Sequence, residues 1–169
     1  MVRNVIYQTG WVEFTRPADA TAYATADVIG TTPGTVLTFA DAAPRMGGIG
    51  RIVGATIVKN STGALGGTRL AFYSTPPTAI DDNSPAKLLY ADSYLGEIRL
   101  DTMATYGTGS DAMVAQAAFN LSVYPSLVFR ADTSTRNLYA VLMTTGAYTP
   151  TSGEKFKIRL DLEWQVPTL

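Results

Sequence analysis

The stretch KFKIRLDLEWQV, residues 155–166, alternates polar and apolar side chains without interruption. Successive side chains of a β-strand point to opposite faces, so this pattern predicts a long strand with one core face and one wet face. The predicted core face carries Phe156, Ile158, Leu160, Leu162, Trp164 and Val166. One wet face is typical of an antiparallel sheet, and the stretch therefore predicts a strand long enough to cross a whole β-sandwich.

Shorter runs with the same alternation precede this strand along the chain. Their apolar pairs are Val12 and Phe14, Leu37 and Phe39, Leu70 and Phe72, Ile98 and Leu100, and Leu127 and Phe129. Two further runs, residues 51–59 and 138–143, are apolar on both faces, which indicates central strands or strands covered by a neighbouring subunit. Clusters of Gly, Pro, Ser and Thr separate the runs. We therefore predict about eight or nine antiparallel strands.

Helix signals are scarce by comparison. Residues 84–89 and 110–119 are two short candidates, each with a capping residue at its start, but neither is long enough to organise a fold. Many short strands with Gly and Pro turns predict an all-β protein, a single jelly-roll-like β-sandwich with little helix. We assign residues 11–169 to this one domain and residues 1–10 to an N-terminal arm or a first edge strand.

Composition narrows the classes of function. The 169 residues are 46% hydrophobic, and 13 Lys and Arg face 14 Asp and Glu for a net charge of −1. This length supports a core of its own, and the near-neutral charge argues against nucleic acid as a direct partner. No apolar run approaches the roughly 20 residues that span a bilayer, and the first residues lack a signal-peptide core. We expect no membrane partner and synthesis in the cytoplasm of the producing cell.

The absence of two residue types removes most familiar enzyme chemistry. With no Cys and no His, the chain has no disulfide, no Ser-His-Asp triad and no zinc site of the usual ligands. Five acids could permit a glycosidase, but no spacing singles out the two carboxylates that such an enzyme needs. They are Asp27, Asp92, Glu97, Asp101 and Glu163. We expect no catalytic residue, no cofactor and no metal.

Three other features each have a functional and a structural interpretation. The glycine-rich run 47–54 is similar to a dinucleotide-binding loop, but a β-branched strand follows it where that motif needs a helix, so we interpret it as a loop that leads into a strand. The oxygen-rich residues 81–83 could bind a hard cation, yet such residues are also ordinary in turns. The nine tyrosines and two tryptophans could stack on sugars, although most lie in strand runs where a core position explains them.

Several long segments together carry a resemblance to a known family. They are FTRPADATAYATADVIG (14–30), RMGGIGRIVGATIVKN (45–60), LAFYSTPPTAIDDNSPAKL (70–88), YLGEIRL (94–100) and LYAVLMTTGAYTPTSGEKFKIRLDLEW (138–164). The chain resembles the head cement, or decoration, proteins of tailed phages, which sit on the expanded shell and tie neighbouring capsid subunits together. In similar sequences we expect a glycine at the position of Ala26. The resemblance implies no catalytic residue.

The resemblance implies a structural virion protein on the outside of the capsid. Its partners would be the major capsid protein and further copies of itself, as a dimer or trimer. Two alternatives stay open: a carbohydrate- or receptor-binding module of the virion, and a head-completion or tail component. Low charge suits an assembled protein, because few ionised groups need to be desolvated at its contacts.

Six residues are the candidates for contacts with the capsid or with another subunit. Three lie in the N-terminal segment, where an arm could anchor a neighbour, and three lie beside loops, where arginine can bind carboxylates across an interface. They are Arg3, Tyr7, Trp11, Arg16, Arg45 and Arg51.

Overall fold

The computed structural model describes residues 2–61, 65–87, 92–100, 113–117 and 126–167. Within these ranges it contains ten β-strands and no helix, so no helix there could cross a membrane. The strands are β1 (Val2–Gln8), β2 (Val12–Thr15), β3 (Leu37–Phe39), β4 (Ile49–Lys59), β5 (Thr68–Tyr73), β6 (Tyr94–Leu100), β7 (Met113–Ala117), β8 (Leu127–Arg130), β9 (Leu138–Thr144) and β10 (Lys155–Pro167). The predicted all-β fold class is confirmed.

The strands form two antiparallel sheets. The larger sheet has the order β1-β10-β4-β7, with β2 also paired to β10 and β8 also paired to β4. Strand β1 pairs with residues 161–167 of β10 and β2 with residues 155–158, so β1 and β2 share one side of β10. In the same way β7 and β8 share one side of β4. The second sheet has the order β3-β9-β5-β6.

Ten strands therefore fill eight positions, which accords with the eight or nine predicted from the sequence. Numbered along the chain, these positions have the order 1-8-3-6 in the larger sheet and 2-7-4-5 in the smaller one. This interleaved order, in which the first and last positions are neighbours, is that of a jelly-roll sandwich. It brings β1 and the last residues of β10 together at one edge of the larger sheet, where Val2 pairs with Pro167.

The space between the sheets is filled by the residues that the alternating patterns place on the core face. Phe156, Ile158, Leu160 and Leu162 of β10 are fully buried, as predicted. They join one apolar cluster with the second sheet, to which the apolar pairs of β3, β5 and β6 also belong. The indole of Trp164 is half-buried beside this core, and its Nε1 donates a hydrogen bond to the Ala42 carbonyl at 3.0 Å.

The two runs that are apolar on both faces are central strands, the first of the two predicted alternatives. Strand β4 lies between β10 and the β7 and β8 position, and β9 lies between β3 and β5. The outward side chains of β9, Val141 and Met143, pack with Val28 and Ile80 from elsewhere in this chain. The outer face of β9 is thus covered by its own domain, without a neighbouring subunit.

The N-terminal segment is an edge strand in the structure. Strand β1 pairs with β10 along its whole length. Val5 and Tyr7 are half-buried on the core face, whereas Asn4, Ile6 and Gln8 are exposed. The alternation places the second set on the outer face of the larger sheet.

Both helix candidates were wrong where the structure describes them. Residues 113–117, inside the second candidate, form strand β7, because pairing with β4 satisfies their backbone groups in the sheet. In the first candidate, residue 84 is a bend and residues 86–87 are irregular chain, and Pro85 forms an isolated bridge with Asp27. The remaining residues of both candidates lie outside the described ranges.

Two backbone features follow from residues singled out in the sequence. The glycine-rich run is a loop that leads into a strand, as interpreted: Gly47 has a φ of 63°, and β4 begins at Ile49. A side chain at Gly50 would meet the Phe129 ring at 2.6 Å, so only glycine lets these two strands pack here. Ala26, where we expect glycine in similar sequences, has a φ of 69°, a left-handed conformation that glycine adopts more readily.

Candidate interaction surface

A cleft of about 640 Å³ opens on the outer face of the larger sheet. Strands β1, β10, β4 and β8 form its floor, and the loop before β4 forms one wall. The lining residues are Asn4, Pro44, Arg45, Gly47, Ile49, Gly50, Arg51, Val128, Arg130, Glu163 and Gln165. The volume lies in the range of ligand-binding pockets, and the lining mixes arginines with apolar groups.

Cross-strand register arranges part of the floor as alternating charged and apolar groups. Ile49 of β4 pairs with Arg130 of β8, and Arg51 of β4 pairs with Val128. Directly opposite side chains in an antiparallel pair lie close together, and diagonal ones, such as those of Arg51 and Arg130, are about 7–8 Å apart. Ile49 and Val128 are each more than half exposed, so an apolar surface lies between two guanidinium groups.

The cleft carries a local positive charge. Three arginines and one glutamate line it, for a formal charge of +2, in a chain whose net charge is −1. Glu163 is already engaged: it accepts a hydrogen bond of 2.7 Å from the Asn4 amide and lies 3.6 Å from the Arg51 guanidinium. Arg45 and Arg130 are exposed and form no ion pair with any residue that the structure describes.

Further exposed apolar side chains surround the cleft. Met46 is 62% exposed in the loop that forms its wall, and Ile6 is 65% exposed on β1, opposite Glu163. With Ile49 and Val128, they are four of the five large apolar residues that are exposed within the described ranges. Their clustering at one end of one sheet face is typical of an interaction surface.

The structure brings together only two of the six candidate residues, Arg45 and Arg51, in this cleft. Arg3 is exposed near the start of β1, but the alternation places it on the face opposite the cleft, and it does not line the cleft. Tyr7 stacks on Trp164, with ring centroids 4.5 Å apart, and so is part of the fold. Trp11 is 42% exposed, and the Arg159 guanidinium lies 4.8 Å from its ring centroid.

Arg16 requires a correction. As a loop arginine it was expected to reach a partner across an interface, but its side chain is fully buried. Its Nη2 lies 2.8 Å from the Asp82 carboxylate, and its Nε donates a hydrogen bond to the Tyr23 hydroxyl. A buried guanidinium is stable only when it is paired, and the paired acid comes from a segment 66 residues away in the chain.

Arg130 and Val128 are site residues that the sequence reasoning missed. The alternation in residues 127–130 identified Leu127 and Phe129 as core residues, and the same pattern places Val128 and Arg130 on the opposite face. The sequence signal that could have identified this site was Val128, an apolar residue that the alternation places on the solvent face. Their position opposite β4, however, depends on the strand order of the sheet.

A second charged cluster lies in the interior, and we call it the buried network. Its centre is the Lys59 ammonium, 3.0 Å from the Glu154 carboxylate, with both side chains fully buried. Ser61 and Tyr148 donate hydrogen bonds to the same carboxylate. The Tyr148 ring stacks on Tyr23, with centroids 5.9 Å apart, which connects this centre to Arg16 and Asp82.

Burial and hydrogen bonding shift the protonation equilibria in the buried network. Burial by itself raises the pKa of the Glu154 carboxyl, but hydrogen bonds from Ser61, Tyr148 and Lys59 outweigh it and hold this pKa below its ordinary value. Burial lowers the pKa of the Lys59 ammonium, against the effect of Glu154. Burial, reinforced by Asp82, raises the pKa of the Tyr23 hydroxyl well above its ordinary value.

The oxygen-rich residues 81–83 act as turn and network residues. Asp82 belongs to the buried network, and Asp81 accepts a hydrogen bond of 2.6 Å from the Gly34 amide. Asn83 has a φ of 56°, which is common for Asn in turns. Over the described ranges no cluster of three or more acidic groups has the geometry to hold a metal ion.

No family model and no curated protein matches the sequence. Among solved structures, the chain is similar to the crystal structure of a 60-mer BFDV capsid protein, with 13% identity and a TM-score of 0.36, over 100% of this chain and 97% of that chain.

Proposed function

We propose that the chain is a structural virion protein that binds the outer surface of a phage capsid and stabilises contacts between major capsid subunits. The observation that carries the proposal is a jelly-roll sandwich with an exposed surface of arginines and apolar residues on one sheet face. Jelly rolls serve in viral capsid and lectin domains, and arginine and apolar anchors are enriched at protein interfaces. The resemblance to cement proteins supports the same assignment.

The internal packing suits such a role. A cement protein needs a rigid body, and the buried network together with the continuous core provides one. A protein that binds the mature shell in preference to its precursor stabilises the mature state by mass action. Repeated contacts around a symmetric shell add avidity to weak single interfaces. The proposal assigns the chain no catalytic activity.

The carbohydrate-binding alternative needs exposed aromatic faces. Several rings are engaged internally instead: Tyr7 with Trp164, Tyr23 with Tyr148, and Tyr73 with Tyr94. Trp11 is more exposed but packs against Arg159. Since the described aromatic rings form no shared exposed platform, we favour capsid binding over sugar binding.

Sedimentation with phage heads tests the proposal. Purified protein is mixed with mature heads that lack this product, and bound copies per head are counted by quantitative gel. We expect saturation at hundreds of copies, in proportion to the number of capsid subunits, and increased resistance of the heads to heat. Saturation at a few copies would indicate a head-completion or tail component, and absence of binding together with affinity for glycans would indicate a receptor-binding module. Either result would overturn the proposal.

A further inference from the structure

The positive charge of the arginines in the cleft is only partly neutralised by the described residues. Arg45 and Arg130 have no ion-pair partner among the described residues, and Arg51 is only partly satisfied by Glu163 at 3.6 Å. Arg51 and Arg130 are diagonal neighbours across β4 and β8, so their like charges face each other across the floor. A bound carboxylate would relieve this repulsion and gain hydrogen bonds from planar guanidinium groups.

We propose that the cleft docks an extended acidic segment of a partner virion subunit. This inference rests on the proposed function and names the chemistry of the partner. Side chains two residues apart share one face of an extended chain, so acidic and apolar side chains both stand at every second position of the segment. The carboxylates pair with Arg45, Arg51 and Arg130, and the apolar side chains cover Ile49 and Val128.

The dimensions of the cleft set the length of the segment. The lining residues come from four adjacent strands, β1, β10, β4 and β8, which at a spacing of about 4.8 Å span about 14 Å. An extended chain rises about 3.3 Å per residue, so four or five residues cross the floor. The segment lies across the strands, on the face of the sheet, and leaves the edge of β1 unpaired.

Two other occupants fit the surface less well. A small inorganic anion would bind arginines but would leave the exposed side chains of Ile49 and Val128 in water. In a two-fold dimer built on this face, the same patch of each copy meets its counterpart, so two clefts of formal charge +2 would oppose each other. An acidic segment with apolar side chains satisfies both the charge and the apolar floor.

Fluorescence anisotropy with the full chain tests the chemistry directly. The probe is a fluorescein-labelled heptapeptide with aspartate and leucine in turn at positions 1, 3, 5 and 7 and serine between them, so that both residue types share one face. In the comparison peptide lysine replaces each aspartate. We expect binding of the acidic probe only. Arg130→Glu should weaken it at least about tenfold, since the substitution removes one guanidinium and adds a repelling carboxylate. Arg45→Glu is a second variant of the same kind.

Lys155→Glu is the matched control. Lys155 is exposed on the wet face of β10, the same strand as Glu163, but about 26 Å away from that residue at 3.3 Å per residue. The substitution changes the net charge by the same amount as Arg130→Glu, so a purely long-range effect of charge would be equal in both variants. Affinity that falls equally in both, or in neither, would overturn the inference. So would displacement of the probe by inorganic phosphate at equal concentration, because the site would then bind simple anions.

Head binding separates failure of the inference from failure of the proposed function. If the wild-type protein and Arg130→Glu decorate heads equally well, the function stands and the cleft inference is overturned. If the wild-type protein binds the acidic probe but no heads, the proposed function is overturned while the acidic specificity of the cleft is supported. A dimer that Arg130→Glu dissociates, seen by analytical ultracentrifugation, would show that the occupant is a second copy and would overturn the inference.

Discussion

Strand β4 carries one member of an ion pair near each of its ends, and the two pairs have opposite environments. At one end Arg51 and Glu163 lie 3.6 Å apart with side chains 51% and 21% exposed. At the other end Lys59 and Glu154 lie 3.0 Å apart with no exposure. The two regions are eight residues apart along β4, about 26 Å at 3.3 Å per residue. Burial commits one pair to the fold, whereas exposure leaves the other available to a partner.

The largest effect is expected at the buried end. Glu154→Ala leaves the Lys59 ammonium in the interior without its counter-ion, and the hydroxyls of Ser61 and Tyr148 without their acceptor. Breaking one half of a buried pair costs about 3–5 kcal/mol of unfolding free energy. Urea denaturation followed by tryptophan fluorescence measures the loss. A loss of unfolding free energy smaller than about 1 kcal/mol would show that the buried pair contributes no more than an exposed one.

A smaller loss is expected where the buried network continues toward Arg16. Tyr23→Phe removes a hydroxyl that donates to Asp82 and accepts from Arg16, both of them buried. An unsatisfied buried polar group costs about 1–3 kcal/mol, and the apolar ring is retained. The same urea experiment gives the value. Tyr139→Phe, on a half-buried tyrosine of β9, serves as the control and should change stability less.

Acid pH should destabilise the folded protein through the buried Lys59–Glu154 pair. The pKa of Glu154 in the folded protein lies below its ordinary value of 4.5. As the pH falls, Glu154 therefore becomes protonated in the unfolded chain before it does in the folded protein. The stabilisation is fully present above about pH 4.5 and is lost as the pH falls through the lower folded value. Urea midpoints from neutral to acid pH should fall less steeply in Glu154→Gln than in the wild type, and parallel curves would refute the assignment.

The smallest effect is expected at the exposed end. Glu163→Ala removes the partner of Arg51 and the acceptor of the Asn4 amide. Exposed pairs are worth about 0–1 kcal/mol, so the urea midpoint should move little, and less still at high salt. The same variant raises the positive charge of the cleft and should tighten binding of the acidic probe. A large loss of stability would show that this pair, too, belongs to the fold.

Much of the fold follows from local sequence, because alternation fixes which side chains enter the core. The uninterrupted pattern of residues 155–166 predicts the long strand β10, and the short apolar pairs predict the other core positions. Two positions of the larger sheet are each occupied by two short strands, one by β1 and β2 and the other by β7 and β8. This division was not predicted. It depends on which neighbour each short segment pairs with, and this is a property of the whole sheet.

The site shows the same limit. Arg45 and Arg51 were recognised because they flank a glycine-rich loop, but Arg130 joins them only through the pairing of β8 with β4. Arg16 has the same local appearance as an exposed loop arginine. Its burial is determined by Asp82, 66 residues further along the chain, which no local pattern reveals.

The pairing of β1 with the last part of β10 affects how the protein should be handled. Val2 pairs with Pro167, and two residues further in, Asn4 and Gln165 already line the cleft. An affinity tag joined directly before Val2 or after Pro167 would project beside the cleft and obstruct it. A tag inserted at residues 74–78 would avoid this. These residues form the start of the loop after β5, which belongs to the second sheet, and exposed loops tolerate insertion.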